Sequence, residues 1–246
     1  MTAVELQGAY NVRDVGGLRA DGGGWTRPGL LYRGDSLDAL SAADEKILFG
    51  ELGIGAVIDV RTPAEVSPAP WRESGVGYRQ IPLIAPEFLG KQPMAQAAPP
   101  QLAAAYLSDL QRGAGALREI CAVLAAELER GVPCLVHCAA GRDRTGAIMA
   151  VLLSAIGVTD AEVAADYTRS NRHAGHVTQR LAANPMYANG LSASGDPVLA
   201  EPETITVLLS LIRQASGSPV RFLAACGVDG ALLARLAAAL VGPPDR

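Results

Sequence analysis

Pro133-Cys134-Leu135-Val136-His137-Cys138-Ala139-Ala140-Gly141-Arg142-Asp143-Arg144-Thr145-Gly146 decides the fold. Its first five residues are short and almost wholly apolar, as in a strand buried on both faces of a parallel sheet. Ala147 to Leu153 (AIMAVLL) then read as helix as far as Gly157. The ten residues His137 to Gly146 therefore turn from the end of a strand into the start of a helix. They carry a thiol, two guanidiniums and a carboxylate.

Cys138 and Arg144 stand in the pattern C-x5-R. A strand before and a helix after would curl the amides of Ala139, Ala140, Gly141 and Arg142 around one point, a concave set of donors at a positive helix end that suits a tetrahedral dianion. Arg144 adds a planar fork able to hold two phosphate oxygens at once. The same positive field favours thiolate, the nucleophilic form, at Cys138. Thr145 could hydrogen-bond to that sulfur or simply cap the helix. Asp143 could supply the proton a departing oxygen needs, or could serve only as an ion-pair partner of Arg142 or Arg144. His137 reads as a structural residue, because neighbours on a strand face opposite sides and a Cys-His pair is disfavoured. The GxxxxG spacing of Gly141 and Gly146 lacks the Lys-Ser/Thr that a nucleotide-binding loop requires.

Outward from the loop, strand and helix signals alternate. Gly29–Arg33 and Gly55–Val60 are short apolar runs, and between them Ser41-Ala42-Ala43-Asp44 opens a helical stretch. Thr62-Pro63-Ala64-Glu65 has the form of a helix start, and Gly77–Pro82 is a further strand. Pro82 to Gln101 holds five prolines and reads as a long surface loop. Leu117, Ile120, Cys121, Leu124 and Leu128 form an apolar helix stripe, with Cys121 in the core. Thr159-Asp160-Ala161-Glu162 is a second capping box. Ser170 to Pro197 is polar, with a turn or two of helix at His176 to Ala182. Glu201 to Leu240 is helical, broken at Gly217-Ser218-Pro219 and at Gly227.

The whole chain, 246 residues with 49% hydrophobic and 19% charged residues, has a globular composition. Its net charge of −4 gives no generic attraction to nucleic acid or anionic membrane. No segment approaches a membrane span, and the N-terminus lacks a Sec-type signal pattern, so a soluble, cytoplasmic protein is the expectation. Four cysteines and three histidines form no metal pattern, and His173 with His176 reads as an exposed polar face. Neither metal nor other cofactor is expected. Cys134, four residues before Cys138, reads as a packing residue, with a disulfide to an oxidised Cys138 as the alternative.

HCAAGRDRTG resembles the HCxxGKDRTG loop of the bacterial atypical cysteine-dependent protein-tyrosine phosphatases, the protein tyrosine phosphatase B-like group. Asn11-Val12-Arg13-Asp14-Val15-Gly16-Gly17 is similar to that family's NxRDxGG, Leu31-Tyr32-Arg33 to its LYRS, and Val57-Ile58-Asp59-Val60-Arg61 with Glu65 to its xIDLRxxxE. The resemblance implies an α/β fold with a mostly parallel central sheet flanked by helices, here with additional C-terminal helices. It implies Cys138 as nucleophile, Arg144 as phosphate clamp, Asp143 as general acid and later the base for water, and Asp59 as a second acidic residue near the pocket. It departs at Arg142, where Lys is usual, and at Gly34-Asp35, where Ser often follows the arginine. Between Ile81 and Gln101, where eukaryotic tyrosine phosphatases carry a mobile acid, the only carboxylate is Glu87.

The expectation is a single phosphatase domain over residues 1–246, with 82–101 and 170–197 as lid or insertion segments. It would hydrolyse phosphate monoesters of proteins or phosphoinositides through a phosphocysteine. A catalytically idle phosphate-binding module is the alternative, and a rhodanese-like sulfurtransferase a third reading that leaves Asp143-Arg144-Thr145 unexplained. Arg142 would favour lipid or multiply phosphorylated substrates by offering a second anion contact.

Overall fold

The computed structural model describes residues 3–89, 97–188, 191 and 196–243. Its strands are β1 (Arg13–Asp14), β2 (Trp25–Thr26), β3 (Leu31–Gly34), β4 (Ala56–Asp59), β5 (Gly77–Gln80), β6 (Cys134–His137) and β7 (Val241–Gly242). The helices are α1 (Ala42–Glu45), α2 (Pro99–Arg112), α3 (Ala114–Glu129), α4 (Asp143–Ala155), α5 (Asp160–Thr168), α6 (Ala174–Ala182), α7 (Pro185–Ala188), α8 (Pro202–Ser216), α9 (Pro219–Ala225) and α10 (Gly230–Leu240).

Five strands form one sheet in the order β1-β3-β6-β4-β5, parallel except for the antiparallel edge pair β1-β3. β6 is central, which is why its residues are apolar on both faces. Side chains alternate along each strand, and here both sides are covered. Cys134 and Val136 enter one core with Leu31, Ala56 and Ile58, whereas Leu135 enters the other with Tyr32 and Val57. The first and larger core is filled by α2–α5 and α8–α10. The second is closed by Leu48, Ile54 and the buried Trp71, whose Nε1 donates to the Leu37 carbonyl. β6 ends beside Gly34 of β3 and Asp59 of β4. The loop that follows therefore leaves the carboxyl edge of the sheet between two other strand ends, the usual place for a ligand site in such folds.

The stripe from Leu117 to Leu128 is buried in α3, and burial raises the Cys121 thiol to about 12. The C-terminal breaks fall where expected: Gly217 takes φ +82° after α8, and Ser218 caps α9 by accepting from Arg221 N. Two readings need correction, and the helical turns read at His176 to Ala182 are found as α6. Pro82 to Gln101 is not one loop, because Pro99 and Pro100 open α2, where the missing N–H costs nothing; residues 90–96 lie outside the described residues. Thr62 and Glu65 do form a capping box, but on a single 3-10 turn, since Val66 is already extended. Ser170 to Pro197 contains α6 and α7; residues 189, 190 and 192–195 lie outside the described ones. Among the described residues no helix is long and apolar enough to cross a membrane.

Leu209 of α8 is fully buried, whereas Leu199 is 50% exposed. Leu209→Ala should cost about 2–5 kcal/mol and Leu199→Ala less than about 0.5 kcal/mol, measured by urea denaturation.

Candidate active site

Three successive carbonyls of the loop are held from outside. Ala139 O accepts from Ser36 N at 3.1 Å and from Arg180 Nη2 at 2.9 Å. Ala140 O accepts from Asn11 Nδ2 at 2.9 Å, and Gly141 O from Arg33 Nη2 at 2.7 Å. In a trans peptide the N–H points opposite to the C=O, so these bonds turn the amides of Ala140, Gly141 and Arg142 to the other side. Gly141 is required for the turn. Its φ is +65°, and a Cβ there would lie 2.4 Å from Gly34 O.

The donors that hold the loop are themselves fixed. Arg33 Nη1 donates to Asp166 Oδ2 at 2.5 Å, and Arg13 Nε to Asp166 Oδ1 at 2.8 Å. Arg13 Nη1 also reaches Asn11 Oδ1 at 2.5 Å. Burial would raise the Asp166 carboxyl, but the charges of Arg13 and Arg33 overcome it and bring it down to about 2. Asp35 accepts from Tyr10 N and Asn11 N and pairs with Arg180 at 2.8 Å. The Gly34-Asp35 departure is thus a tether for the N-terminal segment and for α6.

Cys138 and Arg144 line one cleft with Arg142 and Asp143. Arg144 meets Glu65 fork to fork, Nη1 to Oε2 at 2.8 Å and Nη2 to Oε1 at 2.6 Å. Glu65 also accepts from Thr62 N, Thr62 Oγ1 and, at 2.7 Å, Tyr187 Oη. Burial opposes charge on both partners, yet the pair holds Glu65 below and Arg144 above its ordinary value. The cleft wall is apolar, formed by Ile84, Phe88, Leu89, Leu181, Met186 and Tyr187.

Asp143 opens α4. Its Oδ1 accepts from Tyr106 Oη at 2.5 Å and Arg142 Nε at 3.0 Å, and its Oδ2 from Arg142 Nη2 at 3.1 Å. Burial would raise this carboxyl, but the Arg142 charge and hydrogen bonds, with the Tyr106 hydroxyl, hold it below the usual range. Arg142 Nη1 also donates to the Val198 carbonyl.

The sequence matches the tyrosine phosphatase family over residues 4–242. The chain belongs to that family. It is 36% identical over 169 residues to a Cupriavidus necator protein named for a tyrosine-protein phosphatase, covering 66% of this chain and 60% of that one. It is 33% identical over 202 residues to the triple specificity protein phosphatase PtpB of Mycobacterium tuberculosis, covering 70% of each. A tyrosine-protein phosphatase of Nostoc commune is 33% identical over 143 residues, 57% of this chain and 48% of the relative.

In this tyrosine phosphatase family member Cys138, Ala139, Ala140, Arg142, Asp143 and Arg144 line the cleft, but Gly141 and Asp59 do not. Asp59 is fully buried, bound by Arg61 Nη2 at 2.7 Å and Tyr78 Oη at 3.1 Å. His137 Nε2 lies 3.7 Å from Asp59, and burial lowers the imidazole, which keeps it neutral. Thr145 sits inside α4, so it is no cap; its buried hydroxyl has no hydrogen-bond partner among the described residues. Cys134 and Cys138 are free. Four residues of extended strand put their Cα atoms about 13 Å apart, beyond the ~7 Å reach of a disulfide. His176 stacks on Tyr10 with ring centroids 5.2 Å apart.

Glu65, Tyr106, Asp109, Asp166, Arg180 and Tyr187 are site residues that the sequence does not single out as such. Glu65 alone carried a signal, its place in the family motif, and the capping pattern gave its bond to Thr62 but not the one to Arg144.

Asp166→Ala strands two buried guanidiniums and should cost about 3–5 kcal/mol, whereas Asp160→Ala, an exposed partner of Arg213, should cost about 1 kcal/mol or less. The Asp166 contribution is present above the unfolded carboxyl value of about 4 and is lost as pH falls through about 2. The stability gap between wild type and Asp166→Ala, read by urea denaturation, should therefore narrow from pH 7 to pH 3.

Proposed function

We propose that this chain hydrolyses phosphate monoesters, phosphotyrosine among them, through a phosphocysteine at Cys138. The observation that carries the reading is the Arg144–Glu65 fork beside Cys138. Glu65 occupies one N–H on each Nη, which leaves Arg144 the Nε–H and the outer Nη hydrogens. That free edge fits two equatorial phosphoryl oxygens, and the turned amides of Ala140 to Arg142 offer donors to the same group. Both become more favourable as charge gathers on the oxygens in the transition state.

In the first step Cys138 Sγ bonds to phosphorus, the P–O bond to the leaving group breaks, and its electron pair stays on the departing oxygen, which takes up a proton. In the second, water attacks phosphorus, the P–S bond breaks, and the thiolate and inorganic phosphate are released. Asp143, ionised beside Arg142 and Tyr106, suits the second step, as the base that takes the proton from the attacking water.

The apolar wall matches an aromatic ring, which supports phosphotyrosine as a substrate. Phosphoserine, phosphothreonine and phosphoinositides present the same dianion, and the Mycobacterium relative's name, triple specificity, makes this wider range the one to assay. Arg142 gives three of its five N–H groups to Asp143 and Val198, which leaves two for a second anion.

Cys138→Ser should lower kcat/KM on p-nitrophenyl phosphate by on the order of 10³-fold or more while inorganic phosphate still binds; retained turnover would sink the mechanism. Arg142→Ala should lower kcat/KM more on a phosphoinositide than on a phosphotyrosine peptide, and an equal loss on both would remove the assigned preference.

A further inference from the structure

The two oxygens of Asp143 are not held alike. Oδ1 accepts from Tyr106 Oη at 2.5 Å and from Arg142 Nε at 3.0 Å, while Oδ2 accepts only from Arg142 Nη2 at 3.1 Å. Each carboxylate oxygen has two lone pairs to offer. Both on Oδ1 are taken, and among the described residues one on Oδ2 stays open. Arg142 by itself gives one N–H to each oxygen and would leave the two equivalent. Tyr106 makes the difference between them.

The Tyr106 hydroxyl is set in turn from behind. Its oxygen lies 3.0 Å from Tyr167 Oη of α5. Because Tyr106 spends its one hydrogen on Asp143, the hydrogen between the two phenols is that of Tyr167, and the row runs from Tyr167 to Tyr106 to Asp143. Both rings are buried. Tyr167 can approach α4 only because residue 146 is glycine: a Cβ there would lie 2.9 Å from two carbons of the Tyr167 ring. The glycine that ends the loop thus makes room for the far end of the row. The charged and titratable groups facing Asp143 are Arg142 and Arg144 beside it, Tyr106 and Asp109 from α2 and Tyr167 from α5, with the Cys138 sulfur in the same cleft. Tyr106→Phe removes one bond to the carboxyl without changing any of these charges.

Resting on the phosphatase reading, we propose that Tyr106, backed by Tyr167, is a positioning residue that makes Oδ2 of Asp143 the oxygen through which the protons of both steps pass. A phosphoryl dianion seated in the loop brings a like charge to the carboxylate and favours its protonated form. The open place for that proton is on Oδ2. As Cys138 Sγ bonds to phosphorus and the P–O bond breaks, the Oδ2 proton moves to the departing oxygen, leaving an alcohol or phenol and the Asp143 carboxylate. When water attacks the phosphocysteine, its proton goes to Oδ2, the P–S bond breaks, and the thiolate and inorganic phosphate are released. Tyr106 keeps its own hydrogen throughout, so it aims the carboxyl and takes no part in the transfer.

A general acid contributes most where the leaving group is poor, so the test compares phenyl phosphate with 2,4-dinitrophenyl phosphate in single turnovers at saturating enzyme from pH 4.5 to 8.5. Tyr106→Phe should slow release of phenol by about 10-fold or more and release of dinitrophenol by less than about threefold. It should also move the alkaline fall of the phenyl phosphate rate to higher pH, because the lost bond favoured the ionised carboxyl. Tyr167→Phe should move that fall the same way by less, and it answers the question even if Tyr106→Phe does not fold. In an Asp143→Asn background Tyr106→Phe should add no further leaving-group-dependent loss, the sign that it acts through that carboxyl. Equal losses on both esters, an alkaline fall that neither variant moves, or an undiminished further loss in the Asp143→Asn background would overturn the assignment. So would an Asp143→Asn loss that ignores the leaving group. If wild type turned over neither ester, the phosphatase reading itself would fall. Turnover by wild type beside any of the overturning results removes this proposal and leaves that reading standing.

Discussion

The site depends on one buried guanidinium. Arg33, at the end of β3, donates one way to Asp166 on α5 and the other way to the carbonyl of Gly141. With Asn11 and Arg180 holding the two preceding carbonyls, it fixes the planes of three consecutive peptides. Orienting backbone dipoles in this way confers no net charge, so an acidic chain can still present an anion site. The cost is a buried charge that must stay paired, which is why Asp166 is fully enclosed between two arginines. Catalytic geometry and fold stability meet in the same ions.

A similar economy governs the cleft. Arg142 satisfies Asp143 through two nitrogens, so the carboxylate nearest the helix start is held below its ordinary range although it is largely buried. Asp109, whose Oδ1 has no hydrogen-bond partner among the described residues, is pushed the other way by burial. Identical side chains acquire opposite character from one difference, the presence of a donor within reach. Glu65 links this floor to the wall, because its carboxylate holds Arg144 and receives the hydroxyl of Tyr187 from α7.

The sheet was legible because both faces of β3, β4 and β6 are buried and their sequences are short apolar runs between turn residues. The loop was legible because thiol, glycine and arginine occur at fixed local spacing. What escaped was whatever depends on distant partners. α2 was hidden behind prolines that look like loop residues but occupy its first turn. Asp109, a further carboxyl of the cleft, lies on that helix, eight residues beyond the stretch read as a loop. The motif fixes the place of Asp59 on β4, beside His137, while its bonds to Arg61 and Tyr78 are ones that no periodicity reveals. Asp166 sits in an unremarkable helical stretch, and only the return of α5 against β1 and β3 gives it a role.

The bonds that shape the loop join residues far apart along the chain, 129 positions for Asn11 and Ala140, 108 for Arg33 and Gly141, and 133 for Arg33 and Asp166. Each closure costs chain entropy before it returns any energy, so such contacts form late in folding. A growing chain that has just emerged as far as Thr145 has its thiol but not Asp166, so the ion pair that holds Arg33 against Gly141 has yet to form. The shape of the loop is thereby a property of the completed architecture and not of the local sequence that spells it.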